Sequence, residues 1–460
     1  MVADVVIVGA GIVGLFAARE LLRQRMSVTL LERKGLCAGA TGAGQGYLWM
    51  AHRMPGSTGW GLAARSIALW RRMVEADEAL RSAVEWQDCG SLLVSTTPAE
   101  SASLSERQLA LNDVGLRATY LDGGRLAEAE PALALPRGGA GLLVQADTQI
   151  NGRAAAHVLL ERCRAHEGFR ELMGPEAEVQ GVELAAAKGG AHVVRTAGGR
   201  WVAAAAGVTA RHALVLSAGV WSGGLLAGAT GEAGWGRLLQ PRRGHLLELA
   251  APPGAATVRH GMMEMSYTKP VDITFTATTT VTGSLLIGSS REFSGWDTTP
   301  SPPIVAAILQ RSALFLPGLQ PAADAAAEVA AAHASGGGTA MPYGRGGAEG
   351  GVLYGSGGGG SGGALAGLSV RVGLRPYATG GLPLVGPVEG APGLFVAAGH
   401  EGSGLCMGPA TGELLSRHIR KHMAATSGEG AGGGDASLDT RSFDELLPDV
   451  RRRAALAAPS

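Results

Sequence analysis

Gly9, Gly11 and Gly14 stand in a Gly-x-Gly-x-x-Gly pattern, and Glu32 follows eighteen residues after the last of them. Glycines at this spacing allow a tight turn, let an anion reach the backbone, and let helix and strand pack closely. The unpaired N–H groups at a helix start then hold a pyrophosphate, and a carboxylate on the next strand takes a ribose hydroxyl. Such chemistry needs particular elements around it. Val5 to Val8 is an apolar β-branched run that reads as a buried parallel strand, Ile12 to Arg25 as the following helix, and Val28 to Leu31 as a second strand ending at Glu32. Strand, glycines, helix, strand and acid in register predict a dinucleotide site. The 14 uncharged residues Val5–Ala18 are too short to cross a bilayer and have no basic region before them, which argues against a signal peptide or anchor.

Further elements along the chain bring small residues to the same ligand. Gly39 to Gly46 is a small-residue loop at the end of the second strand, where Thr41 and Gln45 can donate hydrogen bonds, and Arg33 precedes it. Trp60–Ala79 reads as an amphipathic helix, Ser91–Ser95 and Leu142–Val144 as strands, and Ala99–Val114 and Asn151–Arg164 as helices. The strand Ala213–Ser217 runs into Ala218-Gly219, where backbone can approach a ligand. Gln240–Leu249, Ser266–Thr282 and Ser284–Gly288 are β-like and predict a mostly antiparallel second domain, followed by a helix over Ile304–Leu314. Pro321 to Gly367 is alanine-rich and then roughly half glycine; it reads as a disordered insertion with a short helix possible at Ala322–Ala332. Gly393–Ala398 is a strand leading through Gly399, His400, Gly402 and Gly404 into a helix from about Leu405 to Lys421. This second strand–glycine–helix junction suits an anionic group. The tail after His422 reads as a polar, solvated appendage.

Composition narrows the class. The 460 residues carry 39 basic and 39 acidic side chains, a zero balance that offers no footprint for nucleic acid or an anionic membrane. No run reaches the ~18 apolar residues of a membrane span. Cys37, Cys89, Cys163 and Cys406 are scattered, giving neither zinc spacing nor a disulfide framework, so no metal is expected. A reducing compartment follows: the cytoplasm, or an organelle if a presequence is missing from this chain.

Residues 1–46, Leu214–Ser222, Gln240–Leu249, Ser284–Gly288 and Gly373–Leu415 together resemble the D-amino acid oxidase/glycine oxidase superfamily of FAD enzymes. The most specific pieces are Gly373-Leu-Arg-Pro376, Gly381-Leu-Pro-Leu-Val-Gly386, and Gly399-His400 with Gly404 and Pro409-Ala-Thr-Gly412. The resemblance is greatest to the glycine oxidase, D-amino acid dehydrogenase and FAD-linked proline dehydrogenase branches. It implies an α/β fold: a discontinuous Rossmann-like FAD-binding domain with a second, mixed or antiparallel-sheet substrate domain. The expected FAD-binding segments are 1–88, 146–236 and 370–422, the substrate segments 89–145 and 237–369, and 423–460 is the tail. FAD would be bound non-covalently by Gly9, Gly11, Gly14, Glu32, Arg33, Thr41, Gln45, Gly46, Ala218, Gly219, Gly399, Gly402, Gly404 and Leu405. Arg375 matches the family arginine that holds a substrate carboxylate, and Tyr377 is a possible neighbour in that pocket. Where glycine oxidase-like members carry an arginine after the Gly-His pair, this chain has Gly402. The cysteine and lysine of sarcosine oxidase-like members, the former joined covalently to FAD, are absent. The implied activity is oxidation of the C–N bond of an amino acid or secondary amine by hydride transfer to flavin, with oxygen or a redox partner taking the electrons. The alternatives are a flavin-binding assembly factor without turnover, or a dehydrogenase of 2-hydroxy acids.

Overall fold

Val5, Val6 and Ile7 are fully buried because their strand, Val2–Val8, lies in the middle of an eight-stranded sheet. The computed structural model describes residues 2–185, 191–198, 208–250, 258–335, 351–353, 364–365, 367–427 and 440–457. In this first sheet Val2–Val8 pairs in parallel with Val28–Glu32 on one side and Val208–Leu216 on the other. Phe169–Met173 and Leu394–Ala398 extend it in parallel, Leu384–Pro387 closes one edge antiparallel, and Val179–Glu183 and His192–Thr196 form a side ladder. A strand buried on both faces needs apolar residues throughout, which explains the unbroken Val-Val-Ile-Val run.

The second sheet has nine strands and is antiparallel except where Gly261–Glu264 meets Ser91–Val94. Its centre is the long pair Leu239–Leu249 and Leu368–Ala378, with Leu285–Arg291 and Asp272–Thr279 alongside. The Leu368–Ala378 strand crosses the expected boundary at 370 and is bonded along its whole length to Leu239–Leu249, so Arg375 stands on the second sheet.

The helix Ile12–Arg23 packs against the helix Gly404–Ser427. Gly408 makes this close, since a Cβ there would stand 2.8 Å from the Phe16 ring. Pro409, inside the second helix, removes the N–H that would bond the Leu405 carbonyl; the indole of Trp70 donates to that carbonyl instead, at 2.9 Å. The pairing sets both helix starts side by side, with Gly404 facing Ile12 and Val13.

Three expectations change. The segment Trp60–Ala79 is two helices, Thr58–Glu75 and Glu78–Ala83, because the Asp77 side chain caps a new start at Leu80 N–H. The segment expected to be disordered from 321, with a short helix possible at Ala322–Ala332, opens as a longer helix, Gln320–Ala334. Its Ala322, Ala323, Ala325 and Ala326 are buried in the same core cluster as residues of the Pro302–Ala313 helix. Alanine favours a helix and its small side chain allows close contact, whereas the glycine-rich stretches 336–350 and 354–363 lie outside the described residues. The tail is not a solvated appendage throughout: Phe443 and Leu446 join the main core, and the helix Pro448–Ala457 follows. There Asp449 accepts the Glu389 N–H at 2.7 Å and Arg451 donates to the Thr379 carbonyl. No helix among the described residues is long and apolar enough to cross a membrane.

Candidate active site

A cavity of about 610 Å³ runs from the first glycine turn to Arg375, lined by both sheets. At its first end Gly9 adopts φ +112°, and a Cβ there would overlap the Ser217 carbonyl of the neighbouring strand. Gly14 lies behind the turn, where a Cβ would overlap the Gly9 carbonyl oxygen; it serves helix–strand packing and does not line the cavity. Gly11 is the N-cap residue and has no side chain to cap with, so Thr41 Oγ1 accepts the Ile12 N–H at 3.1 Å from the following loop. Among the described residues no protein acceptor faces the N–H groups of Gly11 and Val13, leaving donors for an anion. Glu32 accepts Ala10 N–H at 3.0 Å and Lys34 N–H at 2.9 Å, and the residue still borders the cavity. Arg33 pairs with Glu178 at 3.0 Å and lies over the Trp221 ring.

Gln45, Gly46, Ala218, Gly219, Gly402, Gly404 and Leu405 also line this cavity. Gln45 is engaged with the second sheet: its amide donates weakly to Thr278 Oγ1 and the Leu286 carbonyl, and accepts from Thr276 Oγ1 at 2.9 Å. It ties the loop to that sheet and is not a free donor. Gly399 stands apart from the lining, packed against Ala378 and Leu384 of the strands beside it. His400 is buried, and Thr411 Oγ1, already donating to the Met407 carbonyl, accepts its Nε2–H at 3.0 Å. Burial pushes the His400 pKa down to about 4, so the ring is neutral at pH 7. Burial likewise raises the Cys406 thiol, which leaves it protonated rather than nucleophilic.

At the far end, the guanidinium of Arg375 lies across Gly244 of the adjacent strand, where any Cβ would collide with it. Nη1 donates to the Ser290 carbonyl at 2.8 Å, one strand further on. Burial pulls the Arg375 pKa below its usual value, Glu401 opposes this, and Arg291 and Arg242 add to it; an arginine nonetheless stays charged. Neighbouring arginines are matched by acids. Asp272 takes Arg291 at 2.8 Å and Arg242 at 3.4 Å, and Glu401 takes Arg242 at 2.7 Å. Arg375 has no such carboxylate among the described residues. Tyr377 is outside the lining and faces Arg242 and Phe293 instead.

Sequence reasoning missed several of these residues. Gly244 interrupts a strand, which allows close approach without indicating which distant side chain comes near. His245 is fully buried beside it; Ser301 N–H donates to Nε2 at 3.1 Å, so Nδ1 carries the proton and donates it to Ser290 Oγ at 3.0 Å. Burial first, and then Arg243 and Arg375, push its pKa down to about 3. Arg53 and His52, on the loop after Gly46, also border the cavity.

The donor set fits FAD: free N–H groups at a helix start for the pyrophosphate, a carboxylate at the second strand, and a long cavity ending at a second helix start. Comparison with known proteins agrees. The sequence profile of the FAD dependent oxidoreductase family, DAO, matches residues 4–369 and 363–418. Glycine oxidase of Geobacillus kaustophilus is 23% identical over 428 residues, spanning 92% of this chain and 94% of that protein. Its crystal structure superposes with a TM-score of 0.71 at 21% identity, covering 97% of this chain and 98% of the other. L-proline dehydrogenase from P. horikoshii gives 0.70 at 16% identity, covering 96% and 97%. Iminodiacetate oxidase from a Chelativorans species gives 0.67 at 20% identity, covering 96% and 98%. The cavity, its donors and the matched profile lead to one conclusion: this chain belongs to the DAO family of FAD-dependent oxidoreductases and is an FAD enzyme.

Proposed function

We propose that the enzyme oxidises the C–N bond of an amino acid or secondary amine whose carboxylate is held by Arg375. The observation that carries this reading is the charge balance at the far end of the cavity. Arg242 and Arg291 are neutralised by Asp272 and Glu401, while Arg375 is held in place by a carbonyl and keeps its charge for a ligand. A planar guanidinium binds a carboxylate through two parallel hydrogen bonds, fixing direction as well as position. The relatives named above act on glycine, proline and iminodiacetate, each a carboxylate with a nitrogen on the adjacent carbon.

When bound, FAD supplies the hydride acceptor, and the imine product hydrolyses in water. Gly9, Gly11, Thr41 and Glu32 would hold its ADP half. The start of the 404–427 helix, with Gly402, Gly404 and Leu405, would present N–H groups and a positive dipole end to the negative edge of the reduced ring. Arg375 orients the substrate so that the carbon bearing nitrogen faces the ring. His245 holds Ser290 through both its backbone N–H and its Nδ1–H, and Ser290 in turn receives Arg375. His245 and His400 are buried, neutral and engaged, so they position neighbours rather than move protons.

The test is anaerobic mixing of the holoenzyme with single amino acids, secondary amines and 2-hydroxy acids. Bleaching of oxidised flavin by an amine, lost in R375A, supports the reading. Bleaching only by 2-hydroxy acids would replace it with C–O oxidation.

A further inference from the structure

Four arginines line the cavity: Arg33, Arg53, Arg291 and Arg375. Arg33 is matched by Glu178, and Arg291 by Asp272. Neither Arg53 nor Arg375 has a carboxylate within ion-pair distance among the described residues. The unmatched pair flanks one short turn. Arg53 donates through Nη2 to Ser403 Oγ at 3.0 Å and through Nε to the Trp49 carbonyl at 3.1 Å. The Arg375 side chain passes the residue before, since a Cβ on Gly402 would stand 3.9 Å from its Cδ and Nε. Consecutive Cα atoms lie about 3.8 Å apart, so the Arg53 guanidinium and the Arg375 side chain meet the same turn at adjacent residues, while the Arg375 tip continues to Gly244 and the Ser290 carbonyl. His52 adds to the Arg53 side. It borders the cavity and makes no hydrogen bond among the described residues. A neutral imidazole N–H can donate to a carboxylate.

We infer that Arg53, assisted by His52, is a second anion anchor and that the enzyme takes amino acids carrying two carboxylates. The inference rests on the amine-oxidation reading above. Arg375 holds the carboxylate next to the amine-bearing carbon, Arg53 holds the distal one, and the reacting carbon lies between them at the start of the 404–427 helix. Two half-buried cations without a carboxylate at ion-pair distance border one cavity, and a dianion satisfies both at once.

The test titrates the holoenzyme with succinate and glutarate, and with propionate and butyrate as single-carboxylate controls, reading the flavin spectrum and the melting temperature. The expected result is at least about tenfold tighter binding of the dicarboxylates, the gain typical of one charged hydrogen-bonding group. R53M should erase that advantage with FAD content unchanged, while R375M should weaken both classes. Equal affinity of the two classes for the wild-type enzyme overturns the inference, whether or not a variant folds. Loss of FAD from R53M with selectivity retained also overturns it, by assigning Arg53 to the cofactor. Flavin reduction by glycine, alanine and proline as readily as by aspartate and glutamate overturns it too, and leaves amine oxidation standing. Dicarboxylate preference with no reduction by any amine supports the two anchors and removes the amine-oxidation reading.

Discussion

The role proposed for Arg375 rests on what surrounds it: a glycine beneath it, a carbonyl at its tip, and acids that engage its neighbours rather than itself. R375A should lower kcat/KM for a carboxylate substrate by about 10²–10³-fold, or about 3–4 kcal/mol, with FAD content intact. R375K keeps the charge but not the fork, so steady-state kinetics should place it between wild type and R375A. The buried histidines make a second prediction. His245 and His400 stay neutral in the folded protein, with pKa values of about 3 and about 4 against an ordinary 6.5. The unfolded chain takes up protons below pH ~6.5 that the folded protein refuses. Their contribution to stability is therefore complete above pH ~6.5 and falls by about 1.4 kcal/mol per pH unit for each histidine, down to the folded pKa. Denaturant unfolding at pH 7, 6 and 5 checks this. H400Q, which keeps a donor for Thr411, should show a slope smaller by about one proton, and an unchanged slope would contradict the assignment.

At the scale of elements, two local compensations make sharp predictions. Trp70 supplies the donor that Pro409 removes from Leu405, so W70F should leave a buried carbonyl unpaired. Lost packing aside, that costs about 1–3 kcal/mol in an unfolding titration. Gly244 makes room for Arg375; G244A should displace the guanidinium and raise KM with FAD content unchanged. The first strand, its glycines and Glu32 were legible in the sequence because their signals are local: a buried parallel strand, a turn and a helix start follow within a few residues. Arg375 was legible only through the resemblance around Gly373-Leu-Arg-Pro376. Gly244 and Arg53 were not, since their meaning depends on strands and loops distant in the chain. The helix Gln320–Ala334 was legible in part, as a short helix at Ala322–Ala332 within a low-complexity run, but its full length and its burial were not. Alanine and glycine have opposite effects on a helix, and only packing on the Pro302–Ala313 helix makes four alanines core residues. The tail misled for a similar reason: Phe443 and Leu446 are two apolar residues among charges, and their burial depends on a partner surface.

For the whole molecule, the cavity lies between two sheets that the chain crosses repeatedly, and Gln45 already bridges them through Thr276 and Leu286. A cofactor spanning that cavity would tie both halves together. Saturation at one hundred times its Kd should add about 2.7 kcal/mol to stability, so apo and holo protein should differ in Tm and converge when FAD is removed. The measurement that tests the central claim most directly is anaerobic flavin reduction, wild type against R375A, with amino acids and secondary amines supplied singly. The expected result is loss of oxidised flavin absorbance with at least one carboxylate-bearing amine, and its near-abolition in R375A at unchanged FAD content. Reduction at the same rate in both proteins, or by amines lacking a carboxylate alone, would contradict the assignment of Arg375 as the anchor.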